Sequence, residues 1–419
     1  MTKLTRRMML GAAAATALMA AAPAHAVEIE YWQYFYQQRV DAMNILIANF
    51  EKANPDITVK MTTFPYDDYR TKVAAAIPAG EGPDVVQLFY GWLNDYVTAG
   101  LIQPLPADAF PPDQIDKDFF PMVQAMKVDG QYMALPTAVR SLALFYNKRL
   151  FAQAGITTPP TTLDELVADA KLMTKTDGAG NIIQEGLTSG MTGQDHQWMR
   201  EVLFRQFGTA PYSDDRKTVT YDNEAGVAAL KWYTDLQLTD KVTNSTFMDE
   251  AQAAFKAGRA GMHIDGSFRI GALQSTDGLD WGVAELPAGP TGIKSNYASY
   301  WVNAITSQAQ GEKLAAAEKF MAYITSDEAM DIWLKTVGEL PAKPAAALTD
   351  ANKADPIYGP FVNGLAYAHA TLFADETTQR TVLVDAVNRV LLEGQDPAES
   401  LDVAAKAEQA FLDKFFADQ

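Results

Sequence analysis

The sequence predicts an α/β fold, an open and mostly parallel sheet covered by helices. Three observations predict it. Short apolar runs of strand length alternate along the chain with longer segments of helical period. Apolar residues make up 48% of the 419, enough to fill real cores over a length that suits two or three domains. There is no cysteine, so packing alone holds the fold, and disulfides, thiolate catalysis and cysteine metal sites are excluded.

The elements follow in order. Residues 27–32 alternate and read as a strand. A helix follows over 41–54, with Met43, Ile45, Leu46, Ile47 and Phe50 at roughly helical spacing and Asn54-Pro55 at its end. Residues 57–62 form a second strand, 69–78 a helix ended by Pro and Gly, 84–88 a buried strand, and 92–99 a helix closed at Gly100. Residues 130–135 and 141–147 read as two strands joined by 136–140. Pro159-Pro160-Thr161-Thr162 caps a helix over 163–174, and Asp177-Gly178-Ala179-Gly180-Asn181 is a tight turn before another strand. Residues 298–306 are strand-like. Helices follow over 311–325 and 327–336, then over 377–416 with a break near Gly394-Gln395-Asp396-Pro397.

The first 26 residues read as an export address. Lys3, Arg6 and Arg7 precede an apolar run over 8–19, and Ala24-His25-Ala26 offers small residues where a signal peptidase cuts, so the mature chain is expected to begin near Val27. Thr5-Arg6-Arg7-Met8 resembles a twin-arginine signal, and a Sec signal with two arginines is the alternative. No cysteine follows for a lipid anchor, and the run falls short of the ~20 strongly apolar residues of a membrane span. A soluble periplasmic protein of a Gram-negative cell is expected. The formal charge of −18 argues against nucleic acid or an anionic membrane as partner, while leaving room for a locally basic pocket.

Several blocks together resemble the extracellular solute-binding proteins of carbohydrate ABC importers, the maltose-binding-protein-like group. They are Gly82-Pro83-Asp84-Val85-Val86 with Trp92 and 99–105; Tyr132-Met133-Ala134-Leu135-Pro136 running to Leu144-Phe145-Tyr146-Asn147-Lys148; 254–262 with Asp265-Gly266; and Phe320 with Tyr323-Ile324-Thr325-Ser326. The resemblance implies the type II periplasmic-binding-protein fold: two lobes joined by crossing strands near 137–141, 298–302 and 340–343. On that reading residues 27–137 with 302–342 form the N-terminal lobe, and 138–301 with 343–419 the C-terminal lobe. It also implies a carbohydrate ligand, membrane permease subunits as partners, a monomer, no cofactor and no metal.

A sugar offers apolar C–H faces and a ring of hydroxyls, so its site wants aromatic plates and planar polar groups. Open α/β sheets place ligands at strand-to-helix turns. The candidates there are Tyr34, Tyr36 and Gln37; Phe89, Tyr90 and Trp92; Gln194, His196 and Trp198; Asp265, Phe268 and Arg269; and Tyr300 with Trp301 at the second crossing. Each aromatic has a core reading beside the ligand one, and Asp265 has a capping reading. Trp232 and Trp333, at helical spacing, are assigned to the core. Arg140 stands where the maltose-binding-like relatives often carry a sugar-binding carboxylate. A guanidinium there, with Arg269 and Arg39 near it, suits a carboxylate, phosphate or sulfonate; a salt bridge to an acidic neighbour is the alternative.

His196, His263 and His369 lack zinc-ligand spacing, and no nucleophile elbow, P-loop or dinucleotide fingerprint occurs. The 52 acidic residues keep a periplasmic carbohydrate-active hydrolase open as the rival, since two facing carboxylates suffice. A ligand carrier for a periplasmic sensor is a third class.

Overall fold

The computed structural model describes residues 26–248, 250–371 and 373–417, so the expected export signal lies almost wholly outside the described residues. The strand Val27–Tyr34 pairs in parallel with Ile57–Phe64 along its whole length and with Val85–Phe89. The helix Gln37–Ala53 lays Met43, Leu46, Ile47 and Phe50 against them. It begins earlier than its apolar period suggests because its first turn holds Arg39, a charged residue buried at 1% exposure. In the helix Tyr66–Ala79, Pro78 sits in the last turn, and Gly80 at φ 77° closes it in the left-handed region that glycine enters at no steric cost.

The sheet continues through two long strands. Asn296–Ile305 runs antiparallel to Val85–Phe89 on one side and to Leu135–Asn147 on the other. Leu135–Asn147 in turn pairs antiparallel with Ala260–Gly266, which pairs in parallel with Ile182–Leu187. Both flanks are therefore parallel as predicted, apart from the short edge strand Lys175–Thr176, which pairs antiparallel with Ile182–Leu187. The centre is antiparallel, because the chain passes from one flank to the other and later returns.

The two strands predicted over 130–135 and 141–147 are corrected by the structure. Residues 131 and 132 form a small hairpin with Lys127–Val128, while Leu135–Asn147 is one unbroken strand through Pro136. Pro136 has no N–H to give a ladder. It is tolerated because the register against the neighbouring strand slips between Trp301 and Val302, a bulge at this point.

Three segments meet at Ala138 and Val139. Trp301 and Tyr300 pair with them on one edge, Pro341 and Leu340 on the other. These are the three stretches expected to cross. Along the long strand, Ala143 and Phe145 enter one core and Leu142 and Leu144 another, since successive side chains point to opposite faces. The first core also takes in the helices Glu312–Ile324 and Asp327–Val337; the second gathers Leu163–Met173, Glu224–Leu238, Glu376–Glu393 and Pro397–Ala417. The hydroxyl read at Thr162 completes a capping box with Glu165. Among the described residues no helix is long and apolar enough to cross a membrane.

Candidate functional site

A cavity of about 480 Å³ lies beside the triple junction. Strand parity builds one wall. Tyr297, Ser299 and Trp301 share a face of their strand and line the cavity, while Tyr300 points to the opposite face, where its hydroxyl donates to the Met122 carbonyl at 2.7 Å. Strand ends add aromatics around Trp301: the Tyr34 ring at 4.3 Å, Trp92 at 5.4 Å and Phe89 at 5.9 Å. Tyr36, just beyond the first strand, joins them. Phe268 folds back over the end of Ala260–Gly266, an approach that only glycine permits, because a Cβ on Gly266 would run into the Phe268 ring.

The facing wall is polar. Gln194, His196 and Gln197 come from the opening of the helix Asp195–Gln197, and Glu376, Thr377 and Arg380 from the first turn and a half of Glu376–Glu393. His196 is buried and its Nδ1 has no hydrogen-bond partner. Burial first, then the charges of Arg380 and Arg200, push its pKa down to about 3, so it is a neutral imidazole at working pH. Burial also raises Glu376, against the pull of Arg380.

Arg140 makes the salt bridge that was its alternative reading. Its Nε and one terminal nitrogen each lie 2.6 Å from Glu339 Oε1. Arg39 reaches the same oxygen at 2.6 Å, and the Trp333 indole N–H donates to Glu339 Oε2 at 2.8 Å. Burial works against the Glu339 carboxylate, but Arg140 and Arg39 outweigh it and hold its pKa at about 2. The Arg140 guanidinium also lies 4.7 Å over the Phe268 ring.

The cavity thus brings together Tyr34, Tyr36, Phe89, Trp92, Arg140, Gln194, His196, Phe268 and Trp301 from the sequence candidates. The other six lie elsewhere. Gln37 is turned outward, bonding Asp41 at 2.8 Å. Tyr90 is stacked on Tyr300 at 4.5 Å, so both are packing. Trp198 is buried edge-on against Trp232 at 5.7 Å. Asp265 is spent on Arg269 Nε at 2.7 Å, His263 Nε2 at 3.2 Å and the Gly266 N–H at 2.7 Å. With Arg269 it lines a neighbouring cavity of about 370 Å³ that shares Thr192, Gly193 and Gln194 with the first, and the Arg269 guanidinium lies 5.3 Å from the same Phe268 ring that Arg140 covers. The arginines that do share the cavity are Arg70 and Arg380, which the sequence reading missed along with Tyr66, Tyr297, Ser299, Gln197, Glu376 and Thr377. One signal was available: Asp375 is an N-cap, its Oδ1 accepting from the Thr378 N–H at 2.7 Å, which sets a helix start there. Among the described residues no group of three His, Cys, Asp or Glu could hold a metal ion.

The profile of the bacterial extracellular solute-binding proteins matches residues 46–360. The chain belongs to that family. Among its relatives, a binding protein of Brucella abortus is 31% identical over 59% of this chain and 60% of its own length, so the match spans about three fifths of that relative. The maltotriose-binding protein of Pyrococcus abyssi is 25% identical over 82% of this chain and 72% of its own. The crystal structure of a cyclic α-maltosyl-1,6-maltose-binding protein from Arthrobacter globiformis superposes with a TM-score of 0.80 at 23% identity, covering 92% of this chain and 99% of that one. This solute-binding protein therefore has the two-lobed type II periplasmic-binding-protein fold.

Proposed function

We propose that this solute-binding protein is the periplasmic receptor of an ABC importer for a sugar or sugar derivative. The observation that carries the reading is the cavity itself: aromatic rings from strand ends face donors and acceptors from helix starts, where the three segments expected to cross pair with one another. Such a site stacks on sugar C–H faces and bonds hydroxyls. The maltotriose named for the Pyrococcus abyssi relative supports an oligosaccharide or a related ligand. The lobes would be 27–137 with 302–342 and 138–301 with 343–419. They would hinge at the crossings, so that ligand contacts to both favour the closed form a permease reads. The receptor acts as a monomer in the periplasm, and capture and release need no cofactor.

The hydrolase reading asks for two carboxylates facing the glycosidic bond. The lining residues include one, Glu376. Titrating the protein with a panel of glycosides while following tryptophan fluorescence tests the choice. The receptor reading expects a saturable one-to-one change with Trp92 and Trp301 in the wall, and intact glycoside on chromatography afterwards. Recovery of cleaved product contradicts it.

A further inference from the structure

We infer that the ligand bears an oxyanion (a carboxylate, phosphate or sulfonate) and that Arg140 grips it, with Arg70 and Arg380 adding positive field from the same cavity. The inference rests on the receptor reading and names the ligand class of that site.

Charge stoichiometry is the first argument. Arg70 pairs with Asp95, Arg380 with Glu376 at 3.4 Å, and Arg140 with Glu339. Glu339 is shared with Arg39, so at that carboxylate two guanidinium groups meet one anion. This local surplus lies beside the cavity of a chain whose net charge is −18, while Asp375 adds a further carboxylate near Asp95 and Glu376.

Donor capacity is the second. Arg39 Nη2 and two nitrogens of Arg140 converge on Glu339 Oε1, and Trp333 takes Oε2. That carboxylate has no capacity left for a sugar hydroxyl, whereas a guanidinium carries five N–H donors. Position decides which arginine serves. Arg39 is sealed at 1% exposure, whereas Arg140, at 12%, is one of only two residues of its 13-residue strand that are not fully buried, and it lines the cavity. It is held in place by Glu339 and the Phe268 ring, so little side-chain freedom remains to be lost on binding. A desolvated, fixed guanidinium with spare donors suits a bidentate oxyanion better than a neutral hydroxyl.

Calorimetric titration of the whole protein tests this with methyl glucoside, methyl glucuronide, glucose 6-phosphate and a 6-sulfonated methyl glucoside, whose acidic arms separate the three oxyanions. One acidic compound is expected to bind at least ~10-fold tighter than methyl glucoside, as a charge-assisted hydrogen bond allows. Its affinity is expected to fall as NaCl rises from about 0.05 to about 0.5 M, through screening. Arg140→Gln should weaken it roughly 10- to 100-fold, with Arg140→Lys between. Because Arg140→Gln disturbs Glu339, the salt series on the unaltered protein stands as an independent readout. Neutral glucoside binding as tightly as every acidic partner, with no salt dependence, overturns the inference and leaves the receptor reading intact. Binding of no saccharide of either kind overturns both.

Discussion

Two arginine–glutamate networks are buried among the described residues, and the difference between them separates a structural use of charge from a ligand-facing one. In the second core, Arg200 meets Glu408 at 2.7 Å, one cation for one anion. Tyr212, Tyr221 and the Gln379 side chain fill the remaining positions on Glu408, and the Gln379 carbonyl takes another Arg200 nitrogen. Both residues are sealed, at 1% and 0% exposure. Beside the cavity, Glu339 serves two arginines, and one of them, Arg140, remains partly open. A closed, neutral network can only hold elements together. A network with a surplus cation at a cavity wall holds elements together and still has something to offer a ligand.

The largest effect should come from breaking the closed network. Glu408→Ala strands Arg200 without a counter-charge and should cost about 3–5 kcal/mol in urea unfolding, while protein that remains folded keeps its ligand affinity. Next comes acid titration of the open network. Glu339 is held at about 2, below its ordinary 4.5, so the stability it contributes is complete above about pH 4.5 and lost as pH falls towards 2. The loss is about 3 kcal/mol, and Glu339→Gln should flatten the stability profile over that window. Asp265, also held at about 2 by Arg269 and His263 against burial, leaves a residual slope. Arg140→Gln should be gentler on stability, below about 2 kcal/mol, because Arg39 and Trp333 still satisfy Glu339. If it unfolds the protein as readily as Glu408→Ala does, the two networks are not different in kind. The smallest effect is expected at Gln37→Ala, whose side chain faces solvent: within about 0.5 kcal/mol in stability and no change in affinity.

The sequence made most elements legible because their signals are local. Thr162 with Glu165, Gly80 and Gly338 all act within a turn of the helix ends they mark. What stayed hidden depends on partners distant in the chain. Pro136 read as a break because the bulge that absorbs it lies at residues 301–302 of another strand. Tyr300 and Trp301 looked equivalent as neighbouring aromatics, and only the strand's register shows that one faces Met122 and the other the cavity. Arg140 stood out by its charge, but Glu339 lies 199 residues away and nothing local announces it. The 376–380 turn was seen as helix and not as site, since no sequence pattern tells which strand end a helix start will face.

Small-angle X-ray scattering of the protein with and without a saturating glycoside reaches the central claim most directly. Two hinged lobes that grip the ligand in this cavity predict a smaller radius of gyration on binding and a return to the original value when the sugar is dialysed away. An unchanged scattering curve, under conditions where calorimetry shows the site filled, would contradict the account.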